Sequence, residues 1–235
     1  VTQKRLDGLN AVITGGSRGI GAVTAAALVA EGAKVVSLSR KPGEKKEGID
    51  HLPCDVTKAS SVAHAAANAL TIFGGAPDIV INNAGIFQVA PLAEMKPEMF
   101  ADVLGTNLFG PFHVINAFLG GMLKRKKGHV ISIGSIADQN AFPENSAYSA
   151  SKFGLRGLHQ VLRAELKGTG VRSTLISPGN VDTSLWDKHL ETAESAAKFP
   201  ARDGMLRPDN IAAAILFALT LPPTANVDEL RITPS

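Results

Sequence analysis

Asn10-Ala-Val-Ile-Thr14 runs directly into Gly15-Gly-Ser-Arg-Gly-Ile-Gly21, and an alanine-rich stretch follows to Glu31. The first five residues read as a buried strand. Residues 19–31 read as a helix, with Gly32 just past its end, where helices favour glycine. A strand that enters a helix through glycines turns free backbone N–H groups and the positive end of a helix dipole toward the same point in space. Such a point suits a phosphate. The tight turn, the close backbone approach and the packing of helix on strand each call for a residue without a side chain. The spacing, Gly15-xxx-Gly19-x-Gly21, is not the GxGxxG of the common dinucleotide fingerprint.

Outward from this turn the pattern repeats. Short runs rich in Val and Ile predict strands at 34–39, 78–81, 129–133, 171–176 and 227–232. Longer segments predict helices at 60–73, 97–126, 147–167 and 208–219, with Gly128 closing the long one. Alternating strand and helix implies right-handed crossovers. The expected fold is α/β: a doubly wound, Rossmann-type parallel sheet of about seven strands with helices on both faces, in a single domain over 1–235. Between Arg40 and Asp55 the chain is too short for the expected crossover helix, so a loop or single turn is expected there. Residues 184–205 show weak periodicity and carry the only tryptophan, Trp186. A long irregular segment of this kind is expected to act as a substrate lid.

Composition narrows the function classes. Of 235 residues, 45% are hydrophobic and 19% charged, as in ordinary globular proteins. A net charge of +3 suits an anionic small molecule and is too small an excess to argue for nucleic acid. Cys54 has no internal partner, which favours a reducing compartment. The six histidines are scattered without ligand spacing, so no metal is expected. No signal-peptide pattern opens the sequence, and the apolar run at 211–221 falls short of the roughly 20 residues that span a bilayer. The expected location is cytoplasmic, with no membrane partner.

Further motifs follow the glycine turn in order: Asn82-Asn-Ala-Gly85 after a strand, Asn107 in the long helix, Ser135 after the next strand, Tyr148-Ser-Ala-Ser-Lys152, and Pro178-Gly179 with Val181 and Thr183. Together with Thr14-Gly15-xxx-Gly19-x-Gly21, they resemble the short-chain dehydrogenase/reductase family along essentially the whole chain, in its NADP-preferring carbonyl and 3-oxoacyl reductase branch. The resemblance implies a nicotinamide cofactor held by Thr14, Gly15, Ser17, Arg18, Gly19, Ile20, Gly21, Asn83, Ala84, Gly85, Tyr148, Lys152, Pro178, Gly179, Val181 and Thr183, with Asp55 and Val56 at the adenine. It implies catalysis by Asn107, Ser135, Tyr148 and Lys152, and assembly as a dimer or tetramer through the helices of Asn107 and Tyr148.

The residue types bear the chemistry out on their own terms. Tyr148, the only tyrosine, and Lys152 are four apart, on one face of a predicted helix. A free phenol titrates near 10, and a neighbouring ammonium favours its phenolate by roughly 1–3 pKa units. By resemblance, Lys152 also holds ribose hydroxyls, and Asn107 anchors a water in a proton relay; an asparagine there equally bonds backbone. Ser132 competes with Ser135 as the substrate-oxygen donor, and the thirteen-residue spacing to Tyr148 selects Ser135. Where an NAD enzyme places a carboxylate, after the second strand, this chain has Ser39 and Arg40. With Arg18 in the glycine turn, these favour the 2′-phosphate of NADP(H).

The substrate reads as a small-molecule carbonyl or alcohol in an apolar pocket formed by Ile136, Phe142 and Trp186 beside Ser135, with Phe87, Ala137 and Leu185 nearby. Lys124-Arg-Lys-Lys127 leaves open a 3-oxoacyl group on an acidic carrier protein; the same cations also suit a helix C-terminus. A non-catalytic NADP-binding regulator on the same scaffold is the second functional class, and the retained Ser135, Tyr148 and Lys152 disfavour it.

Overall fold

The computed structural model describes residues 4–191, 197 and 199–235. Among them, seven strands form one sheet: β1 (Asn10–Thr14), β2 (Lys34–Ser39), β3 (Ile49–Pro53), β4 (Ile79–Asn82), β5 (Gly128–Ile133), β6 (Val171–Pro178) and β7 (Glu229–Ile232). Their spatial order is β3-β2-β1-β4-β5-β6-β7, and every neighbouring pair is parallel. The helices are α1 (Gly19–Ala30), α2 (Ala59–Phe73), α3 (Pro97–Leu104), α4 (Gly110–Arg125), α5 (Ser146–Leu166) and α6 (Pro208–Thr220). The chain winds outward from β1 to β3, then crosses to β4 and winds the other way. The carboxyl ends of β1 and β4 thus flank a topological switch point, where such sheets bind ligands.

Strand alternation divides the core between the two faces. Val12, Val36, Leu38, Val80 and Val130 meet Val62 of α2, Phe118 and Met122 of α4 and Leu162 of α5. Ile13, Val35, Ile81, Ile131 and Ile176 meet Leu28 of α1 and Ile211 and Ile215 of α6 on the other face. Each fully buried aliphatic side chain contributes roughly 1.5–3 kcal/mol, so this double layer fixes the register of every central strand.

Three local expectations need correction. The loop or turn expected after Arg40 contains β3. It is an edge strand with mostly partial burial, and its Ile-Asp-His-Leu-Pro sequence lacks the continuous apolar run of a central strand. The long helix is interrupted by a π-helical turn, Gly105–Phe109, with Asn107 inside it. Finally, α4 is closed by Lys126 in the left-handed conformation (φ 53°), two residues before the expected glycine; Gly128 begins β5. Ala147 is buried within the chain, and a Cβ at Gly154 would lie 2.8 Å from Leu108. Among the described residues, no helix is long and apolar enough to cross a membrane.

Two histidines are buried against the sheet, His129 on β5 and His159 on α5. His129 Nε2 is 2.8 Å from the Thr174 hydroxyl, and His159 Nδ1 is 3.3 Å from the Ser132 hydroxyl. Burial holds His129 down to about 3, with the Arg172 and His159 charges adding to it. Burial holds His159 down to about 4, with Arg163 assisting and Asp228 opposing. Both rings are therefore neutral in the fold and take up protons in the unfolded chain below the ordinary histidine range. Stability is full above about pH 6.5 and falls as the pH drops toward 4, by on the order of 5 kcal/mol. Urea unfolding at about pH 7 and about pH 4.5 should show the midpoint collapse over this window, and replacing both histidines by glutamine should flatten the dependence.

Candidate active site

The carboxyl ends of the central strands open into a cleft of about 1330 Å³. One half is built by the glycine turn. Gly15 adopts φ +68°, a conformation side chains resist. A Cβ at Gly21 would lie 2.2 Å from the Gly15 carbonyl oxygen and 2.5 Å from Asn83 Nδ2. The turn and the helix are thus packed as closely as backbone permits. The first turn of α1 carries no side-chain cap and no acidic residue, which leaves its N–H groups and dipole uncompensated by the chain itself. An anionic pyrophosphate fits this cradle.

Ser17, Arg18, Gly19 and Ile20 line the cleft with Gly15. Thr14 and Gly21 stand behind its wall. The Thr14 hydroxyl accepts hydrogen bonds from the backbone N–H groups of Asn83 and Ala84, both at 3.0 Å. Asn83 Nδ2 donates to the Thr14 carbonyl at 2.9 Å. These two residues therefore knit β1 to β4 at the switch point. Ala84, Gly85, Pro178, Gly179, Val181 and Thr183 continue the wall, with Asn180 and Thr106, which sequence reasoning missed for want of any pattern.

At the far end, Ser39, Arg40, Asp55 and Val56 line the cleft, joined by Lys41. The Ser39 hydroxyl donates to the Lys41 carbonyl at 2.6 Å. The loop after β2 is tied to β3: Gly43 N–H donates to His51 Nδ1 at 3.4 Å, and His51 Nε2 lies 3.2 Å from the Glu44 carbonyl. β3 thus anchors the loop that follows Arg40. The Asp55 carboxylate is held below its usual range by hydrogen bonds from Thr57, with Lys58 and Arg40 adding favourable charge.

The other half holds Ser135, Tyr148 and Lys152. Ser135 caps the 3-10 turn Ile136–Asp138, its hydroxyl accepting from the Ala137 N–H at 3.1 Å. It lies near enough to the Tyr148 phenol to influence its titration. Burial pushes that phenol up to about 12; Ser135 opposes this and the Asp138 charge adds to it. Lys152 is 6% exposed, with Nζ 2.8 Å from the Ile133 carbonyl and 5.6 Å from the centre of the Tyr148 ring. Burial lowers the Lys152 ammonium to about 8, against the attraction of Asp138. Ser132, the competing serine, is fully buried beside His159 and does not line the cleft.

Asn107 clamps the chain after β4. Its Oδ1 accepts from the Ile86 N–H and its Nδ2 donates to the Ile86 carbonyl, both at 2.9 Å, and Nδ2 also reaches the Ser151 hydroxyl at 3.2 Å. The π turn presents Asn107 inward at this point. A π turn is a frequent companion of functional sites, and its one-residue register shift leaves no trace in the sequence.

The outer part is apolar. Ile136, Ala137, Phe142, Leu185 and Trp186 line it with Phe87 and Phe199. Phe87 sets its edge against the Tyr148 ring at 4.9 Å and also meets Trp186, His189 and Phe199. Of the segment expected as a lid, Ser184–His189 and Arg202–Gly204 are short 3-10 turns, and residues 192–196 and 198 lie outside the described residues. Arg202 ties the segment's two ends through ion pairs with Asp182 and Asp187. The cations at 124–127 are not at the cleft mouth: Arg125 and Lys127 reach Asp78, just before β4, at 3.5 and 3.3 Å, at the opposite ends of the strands.

A family model described as short chain dehydrogenase matches residues 9–194. The chain belongs to the short-chain dehydrogenase family. An uncharacterized oxidoreductase of Staphylococcus haemolyticus is 34% identical over 237 residues, covering 97% of this chain and 98% of the relative. One from Staphylococcus aureus is 34% identical over 232 residues, covering 95% and 96%. Among solved structures, a metagenomic short-chain oxidoreductase in complex with NADP superposes with a TM-score of 0.81 at 30% identity, covering 98% and 99% of the two chains. A 3-ketoacyl-(acyl-carrier-protein) reductase from Brucella melitensis complexed with NADH gives 0.86 at 25% identity, covering 97% and 98%. This short-chain dehydrogenase is accordingly an oxidoreductase with the family's seven-stranded Rossmann-like sheet.

Replacing Asn107 by alanine in this short-chain dehydrogenase strips the Ile86 backbone of both partners. The expected loss is about 2–4 kcal/mol of stability, read from the urea midpoint.

Proposed function

We propose that the protein is an NADPH-dependent carbonyl reductase, working reversibly as an alcohol dehydrogenase, with Tyr148 as its general acid and base. The observation that carries this reading is the convergence of the Tyr148 phenol, the Ser135 hydroxyl and the Lys152 ammonium in one cleft with an uncompensated helix N-terminus. In this reading Ser17, Arg18, Gly19, Ile20 and the α1 N–H groups hold the pyrophosphate, Asp55 and Val56 flank the adenine, and Pro178, Gly179, Val181 and Thr183 border the nicotinamide. Thr14, Gly21 and Asn83 act by holding the turn in shape. The reduced nicotinamide supplies a hydride to the carbonyl carbon.

The chain's residues manage the oxygen. Ser135 donates a hydrogen bond to the carbonyl oxygen and sets it beside Tyr148, which delivers the proton. The high phenol pKa keeps that proton available at neutral pH. Lys152 offsets the phenolate left behind, and its own lowered pKa makes it a ready proton source. Asn107, through Ile86 and Ser151, steadies this side of the cleft. The substrate is a neutral carbonyl compound with an apolar substituent against Ile136, Phe142, Trp186 and Phe87; the apolar lining supports this over a carrier-bound acyl group. Residues 184–205 serve as its lid, within a single 1–235 domain. Exposed Phe109, Phe112 and Phe153 support self-association through α4 and α5.

Two measurements test this reading. Tyr148→Phe should abolish carbonyl-dependent NADPH oxidation, by at least about a thousand-fold, while NADPH still binds; unchanged turnover refutes the assignment, and wild-type protein that binds NADPH yet oxidises none of it across a broad carbonyl panel supports the non-catalytic regulator. Arg18 and Arg40 both line the adenosine end, and no carboxylate replaces Ser39. Replacing both arginines by alanine should raise the KM for NADPH by about ten-fold to a hundred-fold with little change for NADH. A wild-type preference for NADH would sink the NADP reading.

A further inference from the structure

Asp138 is 1% exposed, a depth that charged side chains reach only when paired. Its partners come from three separate elements. Oδ2 accepts from the Ser177 hydroxyl on β6 and from the Ser135 backbone N–H at 3.4 Å. Oδ1 lies 3.6 Å from Arg156 Nη1 on α5. Arg156 in turn pairs with Glu229 of β7 at 2.6 Å. Gly134 makes the room for this meeting, since a Cβ there would lie 2.6 Å from Asp138 Oδ2 and 2.8 Å from the Ser177 hydroxyl. Tyr148, Lys152 and Arg156 follow one another in steps of four, so they share one stripe of α5.

The two hydroxyls that must meet over a substrate oxygen ride on different pieces of backbone: Ser135 on the turn after β5, Tyr148 on α5. We infer that Asp138 is a positioning residue, which clamps the Ser135 turn to the Tyr148 helix by binding Ser177 and the Ser135 N–H on one side and Arg156 on the other. The clamp sits where a small slip matters most, because a displacement of about 1 Å between reacting groups costs up to about a hundred-fold in rate. Its charge also favours the Lys152 ammonium, which burial opposes. Stability alone does not call for this arrangement: a buried ion pair replaced by well-matched neutral groups is often no less stable.

That distinction supplies the test. Arg156→Met leaves the buried Asp138 charge without its cation and should lower the unfolding temperature, whereas in Asp138→Asn Arg156 keeps Glu229. The double variant Asp138→Asn/Arg156→Met removes the buried charge, leaves Glu229 to Arg163, and should recover the unfolding temperature lost in Arg156→Met. The clamp predicts that kcat in the double variant stays at least about ten-fold below wild type, while the Kd for NADPH, followed by its fluorescence, is unchanged. A double variant with wild-type kcat overturns the inference. Should that variant fail to fold, Ser177→Ala decides: it should lose several-fold in kcat, with a modest fall in unfolding temperature from the hydrogen bond lost by the buried carboxylate, and wild-type kcat there overturns the clamp. The inference rests on Ser135 and Tyr148 acting as the proposed pair. Full turnover by Tyr148→Phe sinks both readings, whereas normal kcat in the clamp variants, with Tyr148→Phe inactive, sinks the clamp alone.

Discussion

A serine hydroxyl on a turn and a phenol on a helix line one cleft, with an ammonium group 5.6 Å from the centre of the phenol ring. Everything else in the molecule is arranged around keeping these groups together in a place where ions are costly. Lys152 is buried and carries its charge only because the Ile133 carbonyl accepts from it and Asp138 attracts it. The same burial raises the phenol. The site thus sets two opposed shifts side by side on one helix, one group reluctant to lose a proton and its neighbour ready to give one.

The sheet delivers these groups without special devices. Seven parallel strands end at one edge, and the crossing from β1 to β4 leaves a gap that the glycine turn can fill only with backbone. The half of the cleft nearest α1 is therefore a surface of N–H groups and arginines, and the half nearest α5 is a surface of rings. The boundary between them falls at Tyr148, whose ring is packed by Phe87 while its hydroxyl faces Ser135.

The central strands and long helices were legible because period and composition agree there. β1 falls at the residues its Val-Ile pattern predicts, and Tyr148 and Lys152 are on one helix as their spacing requires. The misses have physical reasons. β3 is held by its neighbour β2 and by His51 and not by an apolar run, so hydrophobic patterning passes over it. The left-handed residue ending α4 is a lysine where glycine is the usual signal. The π turn changes the register at Asn107 without changing composition. Asp138 is not legible in the sequence because a lone acid three residues after a serine reads as a surface turn; only its burial, and the approach of Ser177 and Arg156 from distant segments, distinguishes it.

β7 is short and half-exposed, and it joins the sheet only through β6. Yet Glu229 on it holds Arg156, and Arg156 faces Asp138, which accepts from the Ser135 N–H. On a ribosome this strand emerges after every other part of the sheet. A nascent chain that has already laid down the glycine turn, the serine and the tyrosine would still lack the last anchor of its ion chain. The surroundings of Ser135 are therefore anchored in part by the last strand of the sheet to leave the ribosome.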